Sequence, residues 1–132
     1  MPTLFSKIVS GEIPAYKIAE DENFLAFLDI NPLAPGHTLV IPKVEIDYIF
    51  DLDEHLLEGI LPFARNIAKA IERLVPCERV GVSVIGLEVP HAHVHLIPLR
   101  TMDDINFSRP KLQMTGNQLL EMAEKIKAEL AI

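Results

Sequence analysis

Three of the five histidines in this 132-residue chain, His91, His93 and His95, alternate with Ala92, Val94 and Leu96 and lead into Ile97-Pro98. In extended backbone, successive side chains point to opposite faces. The run therefore predicts a strand with a row of imidazoles on one face and an apolar core face on the other, ending at Pro98. Such a row suggests two chemistries. A zinc centre needs its ligand nitrogens to converge, but the outer two of positions i, i+2 and i+4 stand about 13 Å apart along a strand. One strand can supply two ligands, and His37 is the candidate for a third. Alternatively, a neutral imidazole nitrogen attacks phosphorus and carries the phosphoryl or nucleotidyl group covalently. Its neighbours would protonate the departing group and stabilise the phosphate oxygens. Clustered imidazoles repel one another when charged, which keeps at least one neutral and nucleophilic.

These side chains need a scaffold, and the flanking sequence describes one. Thr3–Val9 has helical spacing through Leu4, Phe5 and Ile8, with Gly11 as its cap. Residues 15–19 and 23–28 predict two strands joined by the polar turn Asp21-Glu22-Asn23. A loop with two prolines and a glycine, 29–36, leads to a strand over 37–42, where His37 shares a face with Leu39 and Ile41. From Asp51 or Asp53 to Val75, apolar residues recur at three- and four-residue steps across Pro62, predicting one kinked helix with an aspartate N-cap and a solvated His55 near its start. Residues 79–85 predict a strand forming an antiparallel hairpin with the histidine strand. The stretch 100–114 is irregular and polar. Thr115 and Gln118 have capping-box spacing ahead of a second helix to Leu130, with Leu119, Leu120, Met122, Ala123, Ile126 and Leu130 as its stripe. The sum is an α+β fold: an antiparallel sheet of about five strands with two main helices on one face.

Length suits a single domain over 1–132 with a real core. A net charge of −7 opposes non-specific binding of nucleic acid through a basic surface. Cys77 is the only cysteine, so neither an intramolecular disulfide nor a cysteine-based metal site can form, which suits a reducing cytoplasm. No stretch has the apolar length of a signal peptide or membrane span.

The run 91–97 resembles the signature of the histidine triad (HIT) superfamily of nucleotide hydrolases and transferases. The resemblance continues in order through Leu4–Ile8, Gly11–Pro14, Leu25–Asp29 and Ala34–Lys43, and is nearest the bacterial branch related to histidine triad nucleotide-binding proteins. It implies a homodimer with one site per subunit. It also implies His93 as the nucleophile on the α-phosphorus, His91 and His95 as its supports, and His37 as an additional hydrogen-bonding histidine. Asp29 would hold the ribose hydroxyls, and Phe5, Ile8, Phe27, Ile30 and Leu39 would wall the base.

Three departures from the family pattern bear on function. The loop 83–90 is short and places Leu87 and Glu88 near positions where relatives hold Gln and Ser or Thr. Glu88 would either repel a polyphosphate or act as an acid. Thr3, Ser6 and Glu45 stand where some bacterial relatives carry structural zinc ligands, which predicts no structural zinc. Arg100 is displaced by Leu99 from its usual place after the last proline. The leading expectation is a hydrolase of nucleoside phosphoramidates or dinucleoside polyphosphates that releases a nucleoside monophosphate. It would act on purine nucleotides without cofactor, nucleic acid or membrane. The alternatives are a non-catalytic nucleotide-binding module and a zinc-dependent hydrolase.

Overall fold

The computed structural model describes residues 2–131; Met1 and Ile132, the ends of the expected domain, lie outside them. Helix α1 (Leu4–Ser10) is followed by strands β1 (Lys17–Glu20), β2 (Phe24–Leu28) and β3 (Thr38–Pro42). The long helix α2 (Glu54–Leu74), strands β4 (Arg79–Ser83) and β5 (Val94–Leu99), and helix α3 (Gly116–Leu130) complete the main elements. Single 3-10 turns cover Ile49–Asp51 and Met102–Ile105. The strands form one antiparallel sheet in the order β1-β2-β3-β5-β4, the expected α+β architecture.

Local chemistry sets the element ends. Thr3 caps α1 by accepting from Ser6 N, and Gly11 closes it in the left-handed conformation at φ 85°. The Asp21 carboxylate accepts from Asn23 N and Phe24 N, both at 2.8 Å, and so folds the β1–β2 turn. Asp53 caps α2, and Thr115 with Gln118 forms a reciprocal capping box on α3. Helix α2 continues through Pro62, which lies on its exposed side.

Strands β2, β3 and β5 are buried on both faces. Phe24, Ala26, Leu28, Val40, Val94 and Leu96 pack against α2 and α3 through Ile60, Ala64, Ile67, Ile71, Leu119, Ala123 and Ile126. The alternate residues Leu25, Phe27, Leu39 and Ile41 pack under α1 through Phe5 and Ile8. Thus the two main helices share one face as expected, while α1 covers the other. Leu57, Leu61 and Leu120, expected in the helical core stripes, are exposed because they fall on the flanks of their helices.

The strand boundaries differ from expectation at informative places. The first strand starts at Lys17 instead of residue 15, and a bulge between Lys17 and Ala19 resets its register. The β4 pairing stops at Ser83, so the β4–β5 connection runs over residues 84–93 and not through a tight turn. Strand β5 begins only at Val94, because its pairing with β3 ends at Val40 opposite Val94. His91 and His93 therefore precede the regular strand. At the other end β5 runs through Pro98, beyond the last β3 pair at Thr38 opposite Leu96, where its missing N–H removes no ladder bond.

Candidate active site

The face of β3 and β5 opposite α2 forms the floor of a cavity of about 490 Å³ beside α1. Its register is tight: Leu39 lies directly opposite His95. His37, His93 and His95 line the cavity with Asp29, Phe5, Ile8, Phe27, Ile30, Leu39 and Glu88, so all the anticipated site residues but His91 meet there. His91 is fully buried and is not among the cavity-lining residues. Phe107 and Lys111, in the stretch read only as irregular, also line the cavity. Phe107 stands edge-on to His95 with ring centroids 4.8 Å apart, and Lys111 is the one lysine or arginine lining the cavity among the described residues. The sole signal for Phe107 was a lone aromatic in a polar stretch.

The hydrogen bonds fix the imidazole tautomers. A carbonyl only accepts, so His93, whose Nδ1 lies 2.7 Å from the His91 carbonyl oxygen, donates from Nδ1 and has a bare Nε2. In the opposite direction, Leu33 N–H donates to His37 Nδ1 at 3.0 Å, which puts the His37 proton on Nε2. That proton is donated to His95 Nδ1 at 2.9 Å, so His95 carries its own proton on Nε2. Gly36, at φ 91°, makes the turn that brings His37 back toward Leu33. Two backbone groups thus set a bare nitrogen on His93 and a donor on His95, whose ring centroids are 5.0 Å apart.

Burial keeps His37 and His95 neutral. It lowers His37 from 6.5 to about 3, with the proximity of His95 and Lys111 adding to the effect. Burial, followed by the neighbouring His93, lowers His95 to about 4. Burial also raises the Asp29 carboxyl, opposed by its hydrogen bond from Asn31 N. Asp29 Oδ2 lies 3.6 Å from His37 Nε2, too far for a hydrogen bond.

Asp29, His37 and His95 bring one potential ligand atom each within 4.8 Å of the others. Their hydrogen bonding does not suit a metal. A metal on His37 Nε2 would require the proton on Nδ1, where it would face the Leu33 N–H donor. Thr3, Ser6, Glu45 and His91 form a mutually hydrogen-bonded cluster, and two of its members offer only neutral hydroxyls, poor partners for zinc.

The chain thus has an antiparallel α+β fold with a cavity lined by three histidines. The HIT domain model matches residues 10–102, and the chain belongs to the HIT family. It is 38% identical over 131 residues to an uncharacterized HIT-like protein of Borreliella burgdorferi, covering 94% of this chain and 90% of that protein. It is 32% identical over 133 residues to an adenosine 5'-monophosphoramidase of Schizosaccharomyces pombe, covering 98% and 99% of the two chains. Among solved structures, a HIT-like protein of Bartonella henselae involved in cell-cycle regulation superposes with a TM-score of 0.83 at 32% identity, covering 96% and 95%.

Proposed function

We propose that this protein hydrolyses nucleoside phosphoramidates or dinucleoside polyphosphates through a nucleotidyl-histidine on His93, releasing a nucleoside monophosphate. The observation that carries the reading is the 2.7 Å bond from His93 Nδ1 to the His91 carbonyl, which leaves Nε2 unprotonated beside the cavity. That nitrogen forms the bond to the α-phosphorus as the bond to the departing group breaks. His95 Nε2–H gives its proton to the departing amine or phosphate, and the negative charge left on the His95–His37 pair is balanced by the positive charge on the His93 ring, which keeps its Nδ1 proton while Nε2 is bonded to phosphorus. Water then attacks the phosphorus and passes its proton to His95. The P–N bond to His93 breaks, and the nucleoside monophosphate leaves. Phe5, Ile8, Phe27, Ile30 and Leu39 give a purine an apolar slot, and the Asp29 carboxylate suits a ribose diol.

Glu88 lines the same cavity and would oppose a polyphosphate. This favours phosphoramidates, in keeping with the activity named for the yeast relative. A homodimer is part of the reading: β4 is an edge strand, and Val82 on it and Leu57 and Leu61 on α2 are exposed apolar residues. No helix among the described residues is long and apolar enough to cross a membrane.

A panel of adenylyl amines, dinucleoside polyphosphates and adenylyl sulfate, run with the native protein and with His93→Ala, tests the proposal. Turnover by the native protein that His93→Ala abolishes supports it. Turnover retained in His93→Ala refutes the mechanism. Tight nucleotide binding without turnover of any substrate indicates a binding module, and turnover lost to chelators and restored by zinc indicates a metallohydrolase.

A further inference from the structure

The nucleophile sits in a peculiar place. His91, Ala92 and His93 precede β5, so no sheet ladder holds the carbonyl of His91 that receives the His93 proton. The segment is held instead by residues 42–46 and by the N-terminus of α1. Ala92 N donates to Ile46 O at 2.7 Å, and His91 Nε2 lies 2.8 Å from the Pro42 carbonyl oxygen. Because that carbonyl can only accept, His91 carries its proton on Nε2, and its bare Nδ1 must receive a donor.

That donor is Thr3 Oγ1, 2.9 Å away. The hydroxyl proton has one competing acceptor, Ser6 Oγ at 3.2 Å, against the shorter 2.9 Å to His91 Nδ1, and Glu45 holds Ser6 in place. Glu45 Oε1 accepts from Ser6 Oγ at 2.5 Å and from Thr3 N at 2.8 Å. Ser6 thereby spends its hydroxyl proton on the carboxylate, while its backbone N–H donates to Thr3 Oγ1 at 3.0 Å. The Thr3 oxygen then has an acceptor's role toward α1 and one proton left to give, and His91 Nδ1 takes it. Both nitrogens of a fully buried ring are satisfied, which fixes the ring and, through it, the adjoining carbonyl.

We infer that Thr3 is a positioning residue for the nucleophile: held by Ser6 and Glu45, it locks His91 in one tautomer and orientation, so that the His91 carbonyl keeps the proton of His93 on Nδ1. The inference rests on His93 being the attacking residue, and its test separates the two claims. Thr3 also caps α1, so removing it outright would confuse positioning with folding. Thr3→Asp retains an oxygen that accepts from Ser6 N but has no proton to donate. Thr3→Ser retains both roles.

The imidazole 15N shifts of native protein, Thr3→Asp and Thr3→Ser are recorded beside kcat and KM on an adenylyl amine. The relay predicts Nε2–H for His91 and Nδ1–H for His93 in the native protein and in Thr3→Ser. In Thr3→Asp, the His91 signals change form and His93 loses its single tautomer. kcat then falls by about 10- to 100-fold with KM within about threefold, and Thr3→Ser recovers most of kcat. The relay is overturned if His91 bears its proton on Nδ1 in the native protein. It is also overturned if Thr3→Asp leaves the His93 tautomer unchanged. A native protein without turnover would defeat the hydrolase reading while the tautomer measurement still decides the relay.

Discussion

Lowering the pH from 7.5 to 5.0 should weaken this fold by about 4 kcal/mol through two side chains alone. His37 and His95 sit at about 3 and about 4 in the folded protein and near 6.5 when unfolded. Between those values the unfolded chain binds protons that the folded chain refuses, so stability falls as pH drops through 6.5 and levels off only near the folded values. At pH 5.0 each histidine is about 1.5 units below its unfolded value, a loss of about 2 kcal/mol apiece. The size depends little on the folded values, because both lie well below pH 5. His91, lowered by burial, adds in the same direction. Asp29, raised by burial, opposes it only where carboxylates titrate. Urea unfolding at half-unit pH steps gives the proton uptake on unfolding, expected to be about two per molecule near pH 5. His37→Gln should reduce the uptake by one. A flat stability profile between pH 7 and 5 would show that these rings are hydrated or share a proton, and the tautomer assignment would fall with it.

Three further outcomes follow from named contacts. Phe107→Ala removes the ring that stands edge-on to His95 and admits water, so NMR titration should find His95 moved upward from about 4 toward 6.5. Asp29→Asn should raise KM for a ribonucleotide substrate by about tenfold, as loss of charge-assisted hydrogen bonds implies, and erase the preference over its 2',3'-dideoxy analogue. Equal discrimination before and after would place the ribose elsewhere. Val82→Arg puts a charge on the exposed edge strand β4 and should convert a dimer to monomer in sedimentation at micromolar concentration.

Much of this molecule was legible in its sequence because period and capping are local. The alternation of Val94 and Leu96 with His93 and His95 put the imidazoles on the face away from the main core, and Gly11, Asp53 and Thr115 marked helix ends by their own chemistry, whereas Thr3 fell within the expected helix and turned out to be its cap. Where β5 begins was not legible. That depends on where β3 ceases to pair, at Val40 opposite Val94, and no pattern within 91–98 carries this information. For the same reason His91 looked equivalent to its neighbours, although its partners Pro42 and Thr3 lie 49 and 88 residues away. Phe107 and Lys111 belong to a stretch without periodicity, so nothing in it foretold that it folds back over His95 and His37. The Leu33 N–H that sets the tautomer of His37 is a backbone group, invisible to any reading of side chains.

The central claim is that His93 Nε2 forms the bond to phosphorus. Rapid quenching of the native protein with an adenylyl amine, followed by peptide mapping in mass spectrometry under conditions that preserve P–N bonds, tests it directly. A nucleotidyl group is expected on the peptide containing His93, attached at Nε2, formed and lost at rates that match turnover, and absent in His93→Ala. An adduct on another residue, or turnover at full rate with no adduct at any quench time, would contradict it.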